Sequence, residues 1–195
     1  MSDKLKGIIV GVRLDSVEEE KFNNEMEELI KLSEACNIEI LDRVTQTLPV
    51  IFNKTYVGTG KVEEIKQISE ALEADVVIFN DELTPVQISN LDQLIEKTIY
   101  DRTYLILEIF KSRARTKEAI IQVEMASLSY MLPRLAGLRK GLSRQRGAGG
   151  GFAHGRGAGE TKLELDRRIT NDKIAALKNE LKELAKKRKQ QRIKR

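Results

Sequence analysis

The amino-acid sequence predicts an α/β fold: a small parallel β-sheet flanked by helices, followed by a long antiparallel α-helical hairpin that pairs as a coiled coil. Three observations predict it. Short apolar, β-branched runs alternate with amphipathic helical stripes over residues 1–102, two long stretches within 103–195 keep a 3/4 apolar spacing, and the segment joining those stretches, 137–159, is rich in glycine and arginine.

Gly7-Ile8-Ile9-Val10-Gly11-Val12 is a short apolar run and reads as a strand buried on both faces. From Glu18 to Ala35, the residues Phe22, Met26, Leu29, Ile30 and Leu32 are spaced for an amphipathic helix. Ile38-Glu39-Ile40-Leu41 reads as the next strand. After Gly58-Thr59-Gly60, a second helical stripe runs from Lys61 to Leu72 through Val62, Ile65 and Ile68. Asp75 to Asn80 is the clearest central strand, and Thr84-Pro85 then opens a helix to about Glu96, with a hydroxyl cap and a proline where its missing N–H costs nothing. Ile99-Tyr100 begins a last short strand. This alternation implies right-handed βαβ crossovers and a parallel sheet.

From Thr103 to Leu135 no glycine or proline intervenes before Pro133. Leu107, Phe110, Ala114, Ile121, Met125, Leu128, Leu132 and Leu135 follow a helical period, with Lys117 at one seam position. One helix of ~33 residues would be ~50 Å long, more than a small domain needs. A second uninterrupted stretch from Glu160 to about Arg192 places Ile174, Leu177, Leu181 and Leu184 at a/d spacing. The two seams are expected to bury each other. The segment 137–159 holds nine of the 13 glycines, with Arg139, Lys140, Arg144, Arg146, His154 and Arg156 and no acid.

Charge is segregated. Residues 1–136 carry 16 Lys+Arg against 24 Asp+Glu, a net −8, whereas residues 137–195 carry 18 against 6, a net +12. A cationic third on an acidic body points to a polyanionic partner, because each phosphate neutralised releases condensed counterions. Aromatics make up 5% and Trp is absent, which disfavours a stacking platform for single strands. The lone Cys36 excludes an internal disulfide or a cysteine zinc site. No apolar run approaches the ~18 residues of a membrane span and Met1 to Gly7 has no signal-peptide core, so a cytoplasmic location is expected.

Gly58-Thr59-Gly60-Lys61 is reminiscent of a phosphate loop. The pattern G-x-x-x-x-G-K-[ST], however, needs glycine where Thr55 stands and a hydroxyl where Val62 stands. A glycine turn opening a helix still offers N–H groups to an anion, so Gly58, Gly60 and Lys61 are candidate phosphate contacts, against the plainer reading of a tight strand-to-helix connection. Asp81-Glu82 follow the central strand, where α/β sheets often place active residues, against the more economical reading of acids in a solvated turn or helix start. His154 has no nearby carboxylate to orient it, which leaves RNA contact or solvation as its role. No catalytic set and no metal site emerges from the sequence.

The chain resembles the N-terminal region of the HflX-type ribosome-associated GTPases. The resemblance is carried by Tyr56-Val57-Gly58-Thr59-Gly60-Lys61-Val62-Glu63-Glu64, Phe79-Asn80-Asp81-Glu82-Leu83-Thr84-Pro85, Asp101-Arg102-Thr103 and Ile109-Phe110-Lys111-Ser112-Arg113-Ala114-Arg115-Thr116-Lys117-Glu118-Ala119. Leu132-Pro133-Arg134-Leu135, Leu142-Ser143-Arg144-Gln145 and the run from Arg156-Gly157 to Asp166-Arg167-Arg168 complete it. It implies an α/β subdomain, a two-helix antiparallel coiled coil, and then a Ras-like GTPase domain. It further implies binding to the large ribosomal subunit, a role in splitting or rescuing stalled ribosomes under stress, and a loop that approaches the peptidyl transferase centre.

The resemblance therefore assigns Arg139, Lys140, Arg144, Arg146 and Arg156, with His154 beside them, to rRNA contact. The family continues into a Walker A motif, whereas here there is no G-x-x-x-x-G-K-[ST] and no D-x-x-G, and Asn53-Lys54-Thr55-Tyr56 lacks the carboxylate of N-K-x-D. The chain by itself is thus expected to be non-enzymatic and to hold no cofactor, GTP and Mg belonging to the parent's GTPase domain. Its expected partners are large-subunit rRNA and that GTPase domain. Two alternatives stand beside this reading: a nucleotide-binding α/β domain using the Gly58–Lys61 turn, and a regulatory scaffold for the GTPase domain.

Overall fold

The computed structural model describes residues 4–135 and 156–193. It divides into two compact units, Met1–Ile109 and Phe110–Arg195.

The first unit alternates strand and helix: β1 (Leu5–Leu14), α1 (Glu19–Ala35), β2 (Ile38–Leu48), α2 (Thr59–Ala71), β3 (Val76–Phe79), α3 (Pro85–Ile95) and β4 (Thr98–Asp101), followed by α4 (Arg102–Arg113). The strands form one parallel sheet in the order β2-β1-β3-β4. Both faces are covered, and the period of two decides which residue meets which helix. Ile8, Val10 and Val12 share one face with Val77 and Phe79, under Val62 and Ile65 of α2 and Ile88 and Leu91 of α3. Ile9 and Ile78 point the other way, to Phe22, Met26 and Leu29 of α1 and Leu105 of α4. Burial on both sides is why β1 and β3 read as unbroken apolar runs.

Gly11 marks the closest approach of α1 to the sheet: a Cβ there would lie 2.4 Å from Met26 Sδ and 2.9 Å from Phe22 Cζ. At the end of α1, Cys36 is half-buried, and its thiol donates to the Leu105 carbonyl at 3.5 Å. Burial, then the nearby Glu108, push that thiol's pKa up, which favours its neutral form. The start of α3 is a capping box, in which the Thr84 side chain accepts from the Gln87 backbone and Gln87 Oε1 accepts from the Thr84 N–H at 2.9 Å.

Two expectations need correction. Strand β2 does not stop at Leu41 but runs to Leu48, with a register shift that steps from Ile40 to Asp42 opposite Gly7 and Ile8. Its second half is polar because it lies at the sheet edge, where every other side chain meets solvent. The single helix expected over Thr103 to Leu135 is broken: α4 ends at Arg113, α5 spans Lys117–Met131, and a 3-10 turn covers Leu132–Arg134. The Thr116 hydroxyl accepts from the Ala119 N–H at 3.1 Å, so a capping threonine starts a new helix without glycine or proline.

In the second unit, α6 spans Arg156–Ile193. Lys117 pairs with Glu180 at 2.6 Å and Glu124 with Lys173 at 2.7 Å, so the contacts step in opposite directions along α5 and α6. Arg188 also pairs with Glu118. Ile121 is buried, while Met125, Leu128, Ile174, Leu177, Leu181 and Leu184 are half-buried.

Candidate nucleic-acid interface

Of the residues expected to touch RNA, Arg139, Lys140, Arg144, Arg146 and His154 lie outside the described residues. Arg156 is the first residue of α6. The helix that follows is lined with cations. Arg167, Arg168, Lys173, Lys178, Lys182, Lys187 and Arg188 are exposed, and of these Lys173 and Arg188 pair with Glu124 and Glu118 of α5. At 100° per residue, Arg167, Lys178 and Lys182 fall within a sector of about 60° beside the apolar seam. Lys186 bonds Glu183 at 2.7 Å, and that contact lowers the carboxylate's pKa. Exposed Glu164 falls in the same sector, so this face of α6 is cationic only from Arg167 onward, and those cations are suited to following a phosphate backbone.

The other place where chemistry could reside is the carboxyl edge of the sheet. Between β1 and β3 the chain order reverses, and crevices of this kind bind ligands in many α/β proteins. Here Tyr56 fills it. The sequence from Phe52 to Tyr56 doubles back through paired backbone bonds, and Tyr56 adopts φ 65°, a conformation uncommon for a bulky residue. Its ring is buried edge-on against Phe79, with centroids 5.5 Å apart, and its hydroxyl donates to Asp81. Burial first, and Asp81 second, raise its pKa far above the usual tyrosine range.

Neighbouring polar groups are likewise engaged with one another. Buried Asn80 accepts from Arg102 at 3.1 Å, and Arg102 also pairs with Glu28 of α1. The buried Asp101 carboxylate accepts from the Leu83 N–H at 3.1 Å and the Tyr104 N–H at 2.9 Å, fastening the β3–α3 loop to the start of α4. Three of the stretches that carry the family resemblance thus meet at one end of the sheet, through Tyr56, Asn80 and Asp81, and Asp101 and Arg102. Sequence reading missed this network, because hydrogen-bond partners far apart in the chain leave no periodic trace; two acids closing neighbouring strands were its only signal.

Gly58 is the N-cap of α2, and its N–H donates to Gln46 Oε1 at 3.0 Å. The Lys61 ammonium pairs with Glu64 at 2.7 Å, one turn on. Open space surrounds Gly60. No helix among the described residues is long and apolar enough to cross a membrane.

Two protein families match this chain: "GTP-binding GTPase N-terminal" over residues 23–111 and "GTP-binding GTPase Middle Region" over residues 113–195. A protein of Caldanaerobacter subterraneus subsp. tengcongensis named GTPase HflX is 47% identical over 99% of the chain, which covers 43% of that protein. One of the same name from Flavobacterium psychrophilum is 42% identical over 96% of the chain, which covers 44% of it. Among solved structures, a GTP-binding protein from Sulfolobus solfataricus in complex with GDP superposes with a TM-score of 0.59 at 23% identity, over 93% of this chain and 46% of that one, a likeness of fold alone. The chain spans less than half the length of these relatives, and the two adjoining matches together with the 47% identity show that it belongs to the HflX GTPase family as its N-terminal region.

Proposed function

We propose that this chain is the ribosome-binding region of an HflX-type GTPase and that it contacts large-subunit rRNA near the peptidyl transferase centre. The observation that carries the reading is the segregation of charge, net −8 over residues 1–136 and net +12 over residues 137–195. That excess lies on α6 and on the segment leading into it, so the polyanion meets this end of the chain. In this reading α5 and α6 form an antiparallel coiled-coil arm, and Arg139, Lys140, Arg144, Arg146, His154 and Arg156 make the rRNA contacts. Arginine suits such work because its planar fork binds phosphate bidentately and stacks on bases. The full-length protein then splits or rescues stalled ribosomes in the cytoplasm under stress, using GTP and Mg held by its GTPase domain.

The alternative of a nucleotide site at the Gly58–Lys61 turn is less well supported. The Gly58 N–H and the Lys61 ammonium are committed to Gln46 and Glu64, and Val62 offers no hydroxyl for Mg. Co-sedimentation with purified large and small subunits tests the proposal. Binding to large subunits, weakened at least about tenfold when Arg139, Lys140, Arg144, Arg146 and Arg156 are all changed to Ala, supports it; equal binding to both subunits by both proteins refutes it.

A further inference from the structure

The acidic balance of residues 1–136 conceals a local reversal. Residues 1–109 carry 11 Lys+Arg against 22 Asp+Glu, a net −11, whereas the eight residues that follow, 110–117, hold Lys111, Arg113, Arg115 and Lys117 and no acid. This run opens the second unit: it makes the last turn of α4, the break at 114–116 and the first residue of α5. All four cations are exposed. Lys117 pairs with Glu180, but Arg113 and Arg115 pair with no acid among the described residues. The next acid in the chain, Glu118, is taken by Arg188 of α6, whose neighbour Lys187 is also exposed. Cations gathered this closely repel one another, and a polyanion relieves that repulsion.

Phe110 adds an aromatic face to the patch. It is 57% exposed, stands about 140° round α4 from the buried Leu105, and lies three residues before Arg113, which makes the two side chains neighbours on the helix surface. A guanidinium beside an open ring suits RNA, the first for phosphate and the second for stacking. One ring is no platform for a run of bases, but it serves a single unstacked one. A membrane surface would call for a broader apolar face. The 15 residues of α5 put about 22 Å between this run and the 3-10 turn at Leu132–Arg134. A polyanion held here therefore meets the second unit at a point away from that turn.

We propose that Phe110, Arg113 and Arg115 form a second contact for RNA, in which the two guanidiniums neutralise backbone phosphates and the ring stacks on one unpaired base. It rests on the proposed function only in taking that RNA to belong to the large subunit. The affinity of the 195-residue chain for purified large subunits, measured against salt concentration, tests it. Changing Arg113 and Arg115 together to Ala is expected to lower the slope of log affinity on log salt by about 1.4–1.8, at roughly 0.7–0.9 per phosphate contact, and changing both to Lys to restore it. Phe110→Ala is expected to weaken binding about fivefold or more and to leave the slope as it was.

An unaltered slope in the double Ala variant, with binding still weakened by loss of the five cations of 139–156, overturns this contact and leaves the proposed function standing. Should large subunits not bind at all, the proposed function falls, and the same titration on an RNA stem-loop upholds or overturns the contact by the same change of slope. A photoreactive phenylalanine analogue in place of Phe110 reports the partner directly. A crosslink to RNA is expected, and a crosslink to ribosomal protein alone overturns the proposal.

Discussion

The Tyr56 hydroxyl donates to the Asp81 carboxylate and thereby ties the loop before α2 to the end of β3. The tyrosine lies in a left-handed backbone conformation with its ring fully buried, so the bond fixes a side chain that the local sequence alone would not place. Tyr56→Phe keeps the ring against Phe79 and removes only the hydroxyl. It should lower the unfolding free energy by about 1–3 kcal/mol, the cost of leaving a partly buried carboxylate without its donor. Urea denaturation checks this, and an unchanged midpoint would mean that water satisfies Asp81 equally well.

The same contact sets a pH dependence. Tyr56 has its pKa raised from the usual 10.0, chiefly by burial and then by Asp81. The folded state therefore keeps a proton that the unfolded chain releases. The stability this represents is complete below pH 10 and is lost as pH rises beyond it, by up to about 1.4 kcal/mol per pH unit. The slope should be shallower in Tyr56→Phe, with a remainder from Tyr104, whose pKa is raised by burial and by Tyr100. Superimposable alkaline stability curves for the two proteins would contradict the assignment.

Gly11→Ala should destabilise the first unit by about 1–3 kcal/mol, because the new methyl meets the Phe22 ring and the Met26 sulfur. Phe22→Leu in the same chain should recover part of the loss, since it clears the less yielding of the two neighbours. A double-mutant cycle measures the coupling. Additive losses would show that the backbone shifts instead of the ring.

The helix break at residues 114–116 should depend on its cap. Thr116→Ala removes the acceptor for the Ala119 N–H and should cost about 1 kcal/mol, seen as a lower thermal midpoint of the second unit. If α4 and α5 gain helicity on this change, the break is set by the cap alone.

These residues also show what the sequence disclosed. Buried strands β1 and β3 and the capped helix α3 were legible, because continuous β-branched burial and the Thr84-Pro85 start are local signals. The length of β2 was not, since Asp42, Arg43 and Thr45 obey the geometry of an edge strand and look like loop. Thr116 was overlooked because the apolar period runs on through it, from Ala114 to Ile121, so periodicity outweighed a single capping hydroxyl. Of the candidate contacts, the charge of α6 was visible as composition, but which cations bond Glu118 and Glu124 depends on the register of two helices. The Tyr56–Asp81 and Arg102–Glu28 contacts could not be inferred, as their partners meet only after the sheet has formed.

The proposed binding of large-subunit RNA by the cations of 139–156 is tested most directly by its salt dependence. The logarithm of the affinity for purified large subunits is expected to fall linearly with the logarithm of salt concentration. Changing Arg139, Lys140, Arg144, Arg146 and Arg156 to Ala should reduce that slope by about four, at roughly 0.7–0.9 per phosphate contact. An unaltered slope, with affinity also unaltered, would contradict the account.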